Sequence, residues 1–203
     1  MGISVADIAA GMYAYSGVLT ALLMRERTGK GTALEVSMLE ALGEWMSYPV
    51  YYGVYGGTAP QRSGARHAVI APYGPFAGGD GDIVYLGIQN EPEWLAFCGS
   101  VLRRPELATD PRFVSNASRV EHHVALDAEI ESVFVTLSTP AILERLETAC
   151  IANGRLRTVH QLSEHPQLSA RGRWHEVDTP VGPIRASEPP ASITGVEPVM
   201  GPV

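Results

Sequence analysis

The sequence has little of what marks several large classes of protein. It holds only two cysteines in 203 residues, Cys98 and Cys150, which are too few for a disulfide framework or a zinc site. Basic residues are also scarce, with 15 Lys and Arg against 22 Asp and Glu and a net charge of -7. Because phosphate contacts need an excess of Lys and Arg, we expect no nucleic-acid partner.

Long hydrophobic runs and targeting patterns are missing as well. No apolar run approaches the ~20 residues that a membrane helix needs. The first residues do not show the charged region, apolar block and cleavage site of a signal peptide. Since no disulfide framework is present either, we expect a cytoplasmic protein in a reducing compartment, with no membrane partner.

Several common catalytic and ligand-binding motifs cannot be found. Gly78–Gly81 is not a phosphate loop, because it lacks the following Lys and Ser or Thr and precedes a strand pattern. No serine lies in a nucleophile elbow. The adjacent His122 and His123 lie on a polar helix face, and the histidines of the last fifty residues have no ligand spacing. The sequence therefore predicts no metal site.

What the sequence does contain is 45% hydrophobic residues, enough for a globular core. Apolar residues at helical spacing predict a helix over residues 5–27, which ends at the glycine-containing turn Thr28–Gly31. Ala33–Val36 is a short strand candidate. Ser37 is predicted to cap a second helix, with Glu40 at the capping-box position.

The middle of the chain predicts a loop and then a hairpin. Residues 48–75 are rich in Tyr, Gly and Pro, which favours a linker or irregular loop. Gly78–Asp82 is predicted to be the turn between a strand ending near Phe76 and the strand Ile83–Ile88. The elements predicted after this hairpin are the helices Glu91–Leu102, Val120–Leu137, one from an N-cap at Thr139 to a C-cap at Gly154, a short helix from His165 to Arg171, and the paired strands Trp174–Asp178 and Pro183–Ala186.

Asp7 is the carboxylate with the clearest catalytic potential. It lies at or just inside a helix start, among apolar and small residues. The partial positive charge of a helix N-terminus favours an anion there, and small neighbours leave room for a ligand. Asp7 could then attack an activated acyl group as a covalent nucleophile. The alternative is an acidic N-cap that only stabilises the helix, and the spacing alone does not exclude it.

A second candidate is the loop Ser63–Gly74, which joins a cation, an imidazole and a phenol in glycine-containing backbone. Its candidate substrate-binding or CoA-binding residues are Gly64, Arg66, His67 and Tyr73. Such a loop could cover a thioester or contact a phosphate. The alternative is an ordinary surface connection with a solvated arginine.

Blocks of the sequence resemble the class III CoA-transferases, also called the CaiB/BaiF family. The first block runs from Val5 to Met12, and it continues through Leu22–Gly31 and Glu35–Glu40. Later blocks that are similar to the family, in order along the chain, are Pro72–Phe76 with Asp80-Gly81, Ile88–Glu91 with Trp94, Pro105–Leu107, Asp110–Phe113, His165–Leu168 and Pro180–Gly182. The resemblance covers nearly the whole chain.

The resemblance implies an enzyme that moves CoA between carboxylic acids, with Asp7 as the matching aspartate. In that chemistry the aspartate forms an acyl-aspartyl anhydride and then an aspartyl-CoA thioester. The acyl-CoA thioester is a substrate, and no cofactor is expected to be bound permanently. Acyl-CoA and a small carboxylic acid are the partners implied. The same family contains α-methylacyl-CoA racemases, which use the equivalent aspartate as a base, so that activity stays an alternative.

The family fold implies an α/β architecture: a Rossmann-like large domain, a smaller α+β domain and an interlocked homodimer. On that pattern residues 1–60 belong to the large CoA-binding domain, 61–165 form the small domain and 166–203 return toward the large domain. Family members are roughly twice this length, so a further alternative is a truncated, non-catalytic chain that needs a separate chain for the missing half. Some members carry a run of glycines in the loop that covers the aspartate, and Gly64–Gly74 lacks one. The roles of Arg66, His67 and Tyr73 are therefore inferred from their position in the sequence, and not from a match to known catalytic residues of the family.

Overall fold

The structure is a computed structural model that describes residues 2–57, 61–197 and 199–201. It divides into two compact units, the first ending at Gly64 and the second beginning at Ala65. How residues 1–60 and 166–203 would join into one larger domain stays a prediction.

The first unit is helical throughout its regular part. Its described elements are α1 (Val5–Thr28), α2 (Met38–Trp45) and α3 (Ser47–Tyr55). The predicted helix over residues 5–27 is confirmed. It ends because Gly29 adopts the left-handed conformation, with φ of 70°, and donates its N–H to the carbonyl oxygen of Arg25. The predicted cap is also confirmed, since Ser37 Oγ accepts a hydrogen bond from Glu40 N–H at 3.4 Å.

Two expectations for this unit were wrong. Ala33–Val36 is not a strand, because no strand lies beside it among the residues that the structure describes. Part of the predicted linker, residues 48–55, lies in α3. The tyrosines that suggested a loop are spaced by four residues, so their rings meet along one helix: Tyr48 and Tyr52 are 5.0 Å apart, and Tyr51 and Tyr55 are 6.1 Å apart.

Helix α1 has nearly the predicted length, but it is more apolar than the sequence analysis allowed. It has 24 residues, and an 18-residue window within it reaches a mean hydropathy of 1.3. By length and composition alone it could cross a membrane, so the expectation that no segment comes near this length was wrong. Small and hydroxyl residues such as Ser16 and Thr20 interrupt the apolar run but lower the average little. Their hydroxyls donate to carbonyls four residues back in the helix.

The second unit contains a three-stranded antiparallel sheet in the order β1-β2-β3. The strands are β1 (Tyr73–Ala77), β2 (Ile83–Gly87) and β3 (Asn153–Arg155). The predicted hairpin is confirmed, with Tyr73 opposite Gly87 and Ala77 opposite Ile83. The prediction of Gly154 as a helix C-cap was wrong. It lies in β3 opposite Tyr85, a strand too short and too poor in apolar residues to be recognised from sequence.

Helices pack on the buried face of this sheet. In chain order they are α4 (Glu91–Ala96), a π-helical turn (Phe97–Val101), a 3-10 turn (Pro105–Thr109), α5 (Asn116–Glu121), α6 (His123–Phe134) and α7 (Thr139–Thr148). The predicted helices are thus present, although Val120–Leu137 is interrupted at His122. The core they form with the sheet includes Phe76, Val84, Leu86, Phe97, Leu126, Ile130, Phe134, Ile142 and Leu146. Phe134 meets both Phe76 and Phe97 edge-on.

The N-terminus of α7 is capped from the hairpin turn. The sequence predicted Thr139 as the N-cap, but Ser138 holds that position and makes no side-chain cap hydrogen bond. Asp80 accepts hydrogen bonds from Thr139 N–H at 2.8 Å and from Thr139 Oγ1 at 2.7 Å. These hydrogen bonds, led by the one from the Thr139 hydroxyl, lower the pKa of Asp80.

The chain ends in short elements that follow the predicted order. They are α8 (Val159–Ser163), which was not predicted, α9 (Pro166–Ala170), β4 (Trp174–Val177) and β5 (Ile184–Ser187). The predicted strand pair is confirmed as an antiparallel hairpin. Glu188 follows β5, forms an ion pair with Arg173 and shares a hydrogen bond with His175, and these contacts fix the strand end beside β4.

Arg119 is the one fully buried charged side chain among the described residues, with 1% of its surface exposed. Its guanidinium donates to the carbonyl oxygen of Ala71 at 2.8 Å and to that of Phe113 at 3.1 Å. It also makes two hydrogen bonds of 3.0 Å to the carboxylate of Glu91, and it lies 4.8 Å from the ring centre of Trp94. One side chain therefore joins a loop, a turn and two helices.

We expect Arg119→Ala to lower the free energy of unfolding of the second unit by about 3 kcal/mol or more, because two buried carbonyls lose their donor. Urea unfolding followed by tryptophan fluorescence measures the effect. Arg112→Ala is the matched control. Arg112 also pairs with a carboxylate, that of Asp110, and lies over an aromatic ring, that of Phe113, but it is 46% exposed. Equal losses for both variants would contradict the role given to Arg119.

We expect Asp80→Asn to remove an acid-dependent part of the stability of the second unit. The folded-state pKa of Asp80 is lowered, so its contribution is present above its unfolded pKa and is lost as pH falls through its folded pKa. Urea midpoints between pH 3 and pH 7 should therefore differ between the variant and wild type at neutral pH and converge in acid. If the difference in urea midpoint between wild type and Asp80→Asn did not change with pH, the capping of α7 by ionised Asp80 would be contradicted.

Candidate functional site

Asp7 lies in the first turn of α1, as its third residue. Ser4 holds the N-cap position. Asp7 is therefore not an acidic N-cap, which was the alternative to a catalytic role. The Asp7 side chain is exposed and accepts no hydrogen bond from the residues that the structure describes. A carboxylate here benefits from the partial positive charge of the helix start while its oxygens stay available for a ligand.

The backbone beside Asp7 offers hydrogen-bond donors. In the first turn of a helix the N–H groups have no partner within the helix. Within the described part of the chain, the N–H groups of Ala6 and Asp7 donate to no carbonyl and Ser4 makes no side-chain cap. The helix surface is also open, because a Cβ atom placed on Gly11 would meet nothing within 4 Å. The site can therefore accept an anion or an oxyanion next to the carboxylate.

A groove of about 530 Å³ lies elsewhere in the first unit, between α1, residues 32–37 and α2. Asp7 is not among its lining residues. The groove is lined by Glu35, Glu40 and Glu44 and by no Lys or Arg, so its charge disfavours a phosphate. The phenol of Tyr13 accepts a hydrogen bond from Trp45 Nε1 at 3.1 Å, and a hydrogen bond with Glu44 raises the pKa of Tyr13.

The loop predicted to bind substrate begins with the last two residues of the first unit and continues in the second. Gly64 has φ of 62°, a left-handed conformation that glycine adopts without strain. His67 stacks on Tyr73 with ring centres 5.2 Å apart, and the N–H of His67 donates to the carbonyl oxygen of Tyr73 at 3.0 Å. The structure thus brings these two predicted residues together, with His67 exposed.

Arg66 is held by groups within the second unit. Its guanidinium donates to Asp127 Oδ1 at 2.8 Å and lies 5.1 Å from the ring centre of Phe76. Burial raises the pKa of Asp127, although Arg66 opposes this effect. A guanidinium engaged in this way is poorly available to a phosphate, so the geometry favours a structural part for Arg66.

Sequence reasoning missed the residues that fix this loop. The carboxamide of Asn116 accepts from Ala71 N–H at 3.2 Å and donates to the carbonyl oxygen of Val69 at 2.9 Å. Tyr85 donates its hydroxyl to the carbonyl oxygen of Ala65 at 2.6 Å. Ser115 already caps α5, which leaves the Asn116 side chain free for the loop. The sequence feature that could have indicated this role is the Ser115-Asn116 pair at the N-terminus of α5, where two residues able to cap the helix are adjacent.

The described residues give little support to metal-dependent chemistry or to Cys98 as a thiolate nucleophile. Within the described residues, no cluster of three or more His, Cys, Asp or Glu side chains could hold a metal ion. Burial raises the pKa of the Cys98 thiol to about 12, so it is not a thiolate nucleophile at neutral pH. Asp7 stays a candidate nucleophile. It lies in the first unit, whereas Arg66, His67 and Tyr73 lie in the second.

Comparison with known proteins agrees with the motifs. The model of CoA-transferase family III matches residues 1–201. The chain belongs to this family. The acetyl-CoA:oxalate CoA-transferase of Acetobacter aceti is 34% identical over 170 residues, which make up 84% of this chain and 43% of that protein. The succinate–glutarate CoA-transferase of Agrobacterium fabrum is 26% identical over 183 residues, 90% of this chain and 45% of that protein.

Solved structures confirm the mixed helix and sheet fold. A CaiB/BaiF family protein from Brucella suis superposes with a TM-score of 0.75 at 28% identity, over 98% of this chain and 51% of that one. A Mycobacterium tuberculosis protein gives a TM-score of 0.83 at 20% identity, over 100% of this chain and 53% of that one. The family III chain thus spans about half the length of the relatives it matches.

We expect Asn116→Ala to speed hydrogen exchange at the Ala71 amide at least about tenfold, because its acceptor is removed while the core is untouched. Exchange monitored by NMR or mass spectrometry measures this. Asn153→Ala is the control, since Asn153 also bonds a backbone carbonyl, that of Ile151, but does not contact the loop. Unchanged exchange at Ala71 would show that Asn116 does not fix the loop.

Proposed function

We propose that this chain carries the nucleophile of a CoA-transferase that moves CoA between an acyl-CoA thioester and a free carboxylic acid. The observation that carries the proposal is the exposed Asp7 carboxylate in the first turn of α1, within a chain of CoA-transferase family III. The cited relatives are named as CoA-transferases, which supports this activity over racemisation.

The reaction proceeds through two kinds of covalent intermediate on Asp7. A carboxylate oxygen of Asp7 attacks the thioester carbonyl carbon, the C–S bond breaks, and CoA leaves as a thiolate from an acyl-aspartyl anhydride. The thiolate then attacks the Asp7 carbonyl of the anhydride, which releases the donor acid and leaves an aspartyl-CoA thioester. The net exchange of one thioester for another is near thermoneutral, and the covalent route divides the barrier into smaller steps.

The second half of the reaction reverses these steps with the acceptor. The acceptor carboxylate attacks the aspartyl-CoA carbonyl and expels the CoA thiolate, which forms a second anhydride. The thiolate attacks the acceptor carbonyl of that anhydride, and acceptor acyl-CoA leaves with the Asp7 carboxylate restored. The unpaired N–H groups of Ala6 and Asp7 lie beside the reacting carboxyl and are suited to stabilise the oxyanions that develop.

The substrates we propose are short acyl-CoAs and small carboxylic acids. Relatives are named for oxalate and for succinate with glutarate, all small dicarboxylic acids. The CoA thioester is the only nucleotide-bearing group the reaction needs, and it enters as a substrate. The stack of the exposed His67 on the half-buried Tyr73 is the proposed contact for part of it. A cytoplasmic homodimer is the assembly and location we propose.

We expect Asp7→Asn to reduce formation of a covalent acyl or CoA adduct at least about 10³-fold, because the amide is not a nucleophile toward a thioester. Intact mass after incubation with acetyl-CoA, succinyl-CoA or oxalyl-CoA, trapped with hydroxylamine or borohydride, measures the adduct. Any second polypeptide that the chain requires for activity is included in every incubation, with wild type and variant alike.

Glu26→Gln is the control for this experiment. Glu26 is an exposed carboxylate near the other end of α1, so its loss should leave the adduct unchanged. If wild type and Asp7→Asn formed equal amounts of covalent adduct, Asp7 would not be the nucleophile. Exchange of the substrate α-proton with solvent deuterium, without an acceptor acid and without an adduct, would favour the racemase chemistry of the same family.

A further inference from the structure

The backbone of the loop fixes the imidazole of His67 in one tautomer. Nδ1 of His67 accepts a hydrogen bond from the N–H of Val69 at 3.2 Å. In a neutral imidazole one ring nitrogen carries the proton and the other is an acceptor, so a bond that uses Nδ1 as the acceptor leaves the proton on Nε2. His67 therefore presents a hydrogen-bond donor, and not a lone pair, at Nε2.

Other histidines of the second unit have the opposite arrangement. Nδ1 of His122 lies 2.9 Å from the carbonyl oxygen of Ser118, and Nδ1 of His123 lies 3.1 Å from that of Val120. Because a carbonyl oxygen can only accept, the proton of each neutral ring belongs on Nδ1, and Nε2 is then an acceptor. The Nε2–H donor of His67 is thus a consequence of its local geometry.

An aromatic platform holds the ring of His67 in place. The ring stacks on Tyr73 with centres 5.2 Å apart and planes inclined by 23°. Tyr73 is held in turn by the edge of Tyr85, 5.9 Å away, and by Gly87, where a Cβ atom would lie 3.0 Å from the Tyr73 ring. The backbone N–H of His67 donates to the carbonyl oxygen of Tyr73 at 3.0 Å. Both the backbone and the ring of His67 are therefore attached to β1.

The donor at Nε2 of His67 is open to a ligand. His67 is exposed, and within the described part of the chain no hydrogen bond or ion pair uses its Nε2. By comparison, Nε2 of His175 lies 2.5 Å from the carboxylate of Glu188. A donor that is already fixed in place, without a carboxylate of its own, can bind an anionic oxygen with little loss of side-chain entropy.

We infer that His67 is an anion-recognition residue, whose Nε2–H donates to an anionic oxygen of the substrate, and that the N–H of Val69 positions it. The proposed reaction offers two sources of such an oxygen, the carboxylate of the free acid and the phosphates of the CoA thioester. An ionised acceptor makes this hydrogen bond shorter and stronger than a neutral one would. The inference rests on the proposed function for this choice of anions, and it goes beyond that function in naming the atom and the tautomer that recognise them.

Nitrogen-15 NMR of the histidine rings in the full chain tests the tautomer. Protonated and unprotonated ring nitrogens differ widely in chemical shift, and at about pH 8 imidazoles are generally neutral. We expect the Nε2–H form for His67 and the Nδ1–H form for His122 and His123. Val69→Pro removes the N–H that His67 accepts and should give a mixture of tautomers, whereas Val69→Ala keeps that N–H and should not.

Titration of the same labelled chain with defined anions tests recognition. The probes are oxalate and succinate for the carboxylate source, and coenzyme A and inorganic phosphate for the phosphate source, with chloride at matched ionic strength. We expect one source to shift the Nε2 resonance of His67 saturably, with half-saturation at least about tenfold lower than for the other source.

His165 is the matched control for this titration. Its Nδ1 also accepts from a backbone N–H, that of Gln167 at 3.2 Å, so the same tautomer is expected. The bond of His165 caps α9, however, and its ring has no stacking partner among the residues that the structure describes. We therefore expect the probes to leave the Nε2 resonance of His165 unchanged.

Two amide variants isolate the position of the donor. The side-chain NH₂ of glutamine can take the place of Nε2, whereas that of asparagine reaches only the place of Nδ1. Since His67→Gln and His67→Asn both lose the ring stack, the difference between them reports the donor alone. We expect His67→Asn to weaken binding of the favoured anion at least about tenfold and His67→Gln by no more than about threefold, measured from the backbone amide resonances of the loop.

Four results would overturn the inference. They are an Nδ1–H or mixed signal for His67 in wild type, no saturable shift of His67 with any probe, equal shifts of His67 and His165, and equal affinities of His67→Gln and His67→Asn. Asp7→Asn should titrate like wild type at His67. A failure of the proposed function, which is read from the covalent adduct on Asp7, is therefore distinguishable from a failure of this inference.

Discussion

The buried guanidinium of Arg119 is the contact on which the second unit depends. A charge with 1% of its surface exposed is costly unless every donor is used. Here the donors reach Ala71, Phe113 and Glu91. Since one of these partners belongs to the loop that carries His67 and Tyr73, the shape of that loop and the packing of α4 on α5 are set by the same side chain. Fold stability and the candidate site are therefore coupled through one residue.

The two units differ in how they hold their structure. The second unit has a conventional core, in which Phe76, Phe97 and Phe134 meet edge to face beneath the sheet. In the described part of the first unit the helices have clear boundaries, but the only buried residues are alanines. Local rules such as the Ser37 cap and the Gly29 stop can define where a helix begins and ends. They do not supply the burial that makes it stable, which has to come from elsewhere.

Local patterns predicted most of the fold. The glycine stop after α1, the Ser37 cap, the hairpin at Gly78–Asp82 and the strand pair at the C-terminal end all depend on nearby residues, and they were predicted correctly. The failures have non-local causes. Ala33–Val36 has the pattern of a strand but pairs with no neighbour among residues 2–57, 61–197 and 199–201, and β3 is a strand only because β2 lies beside it.

The candidate site shows the same division. Asp7 could be singled out from its position at a helix start, whereas Asn116, 45 residues along the chain from Ala71, could not be connected to the loop without the fold. Arg66 was chosen for its charge, but Asp127, which sequence reasoning did not consider, engages that charge. Residue type indicated which groups could act, and only tertiary contacts show which of them are already occupied.

The anchored loop has a consequence for the energetics of recognition. Tyr85 from β2, and Asn116 and Arg119 from α5, hold Ala65, Val69 and Ala71. The conformational entropy of ordering this segment is therefore lost when the protein folds. A ligand that reaches the loop meets a preformed wall, so its affinity there is not reduced by loop ordering and its association rate is not limited by the opening of a lid.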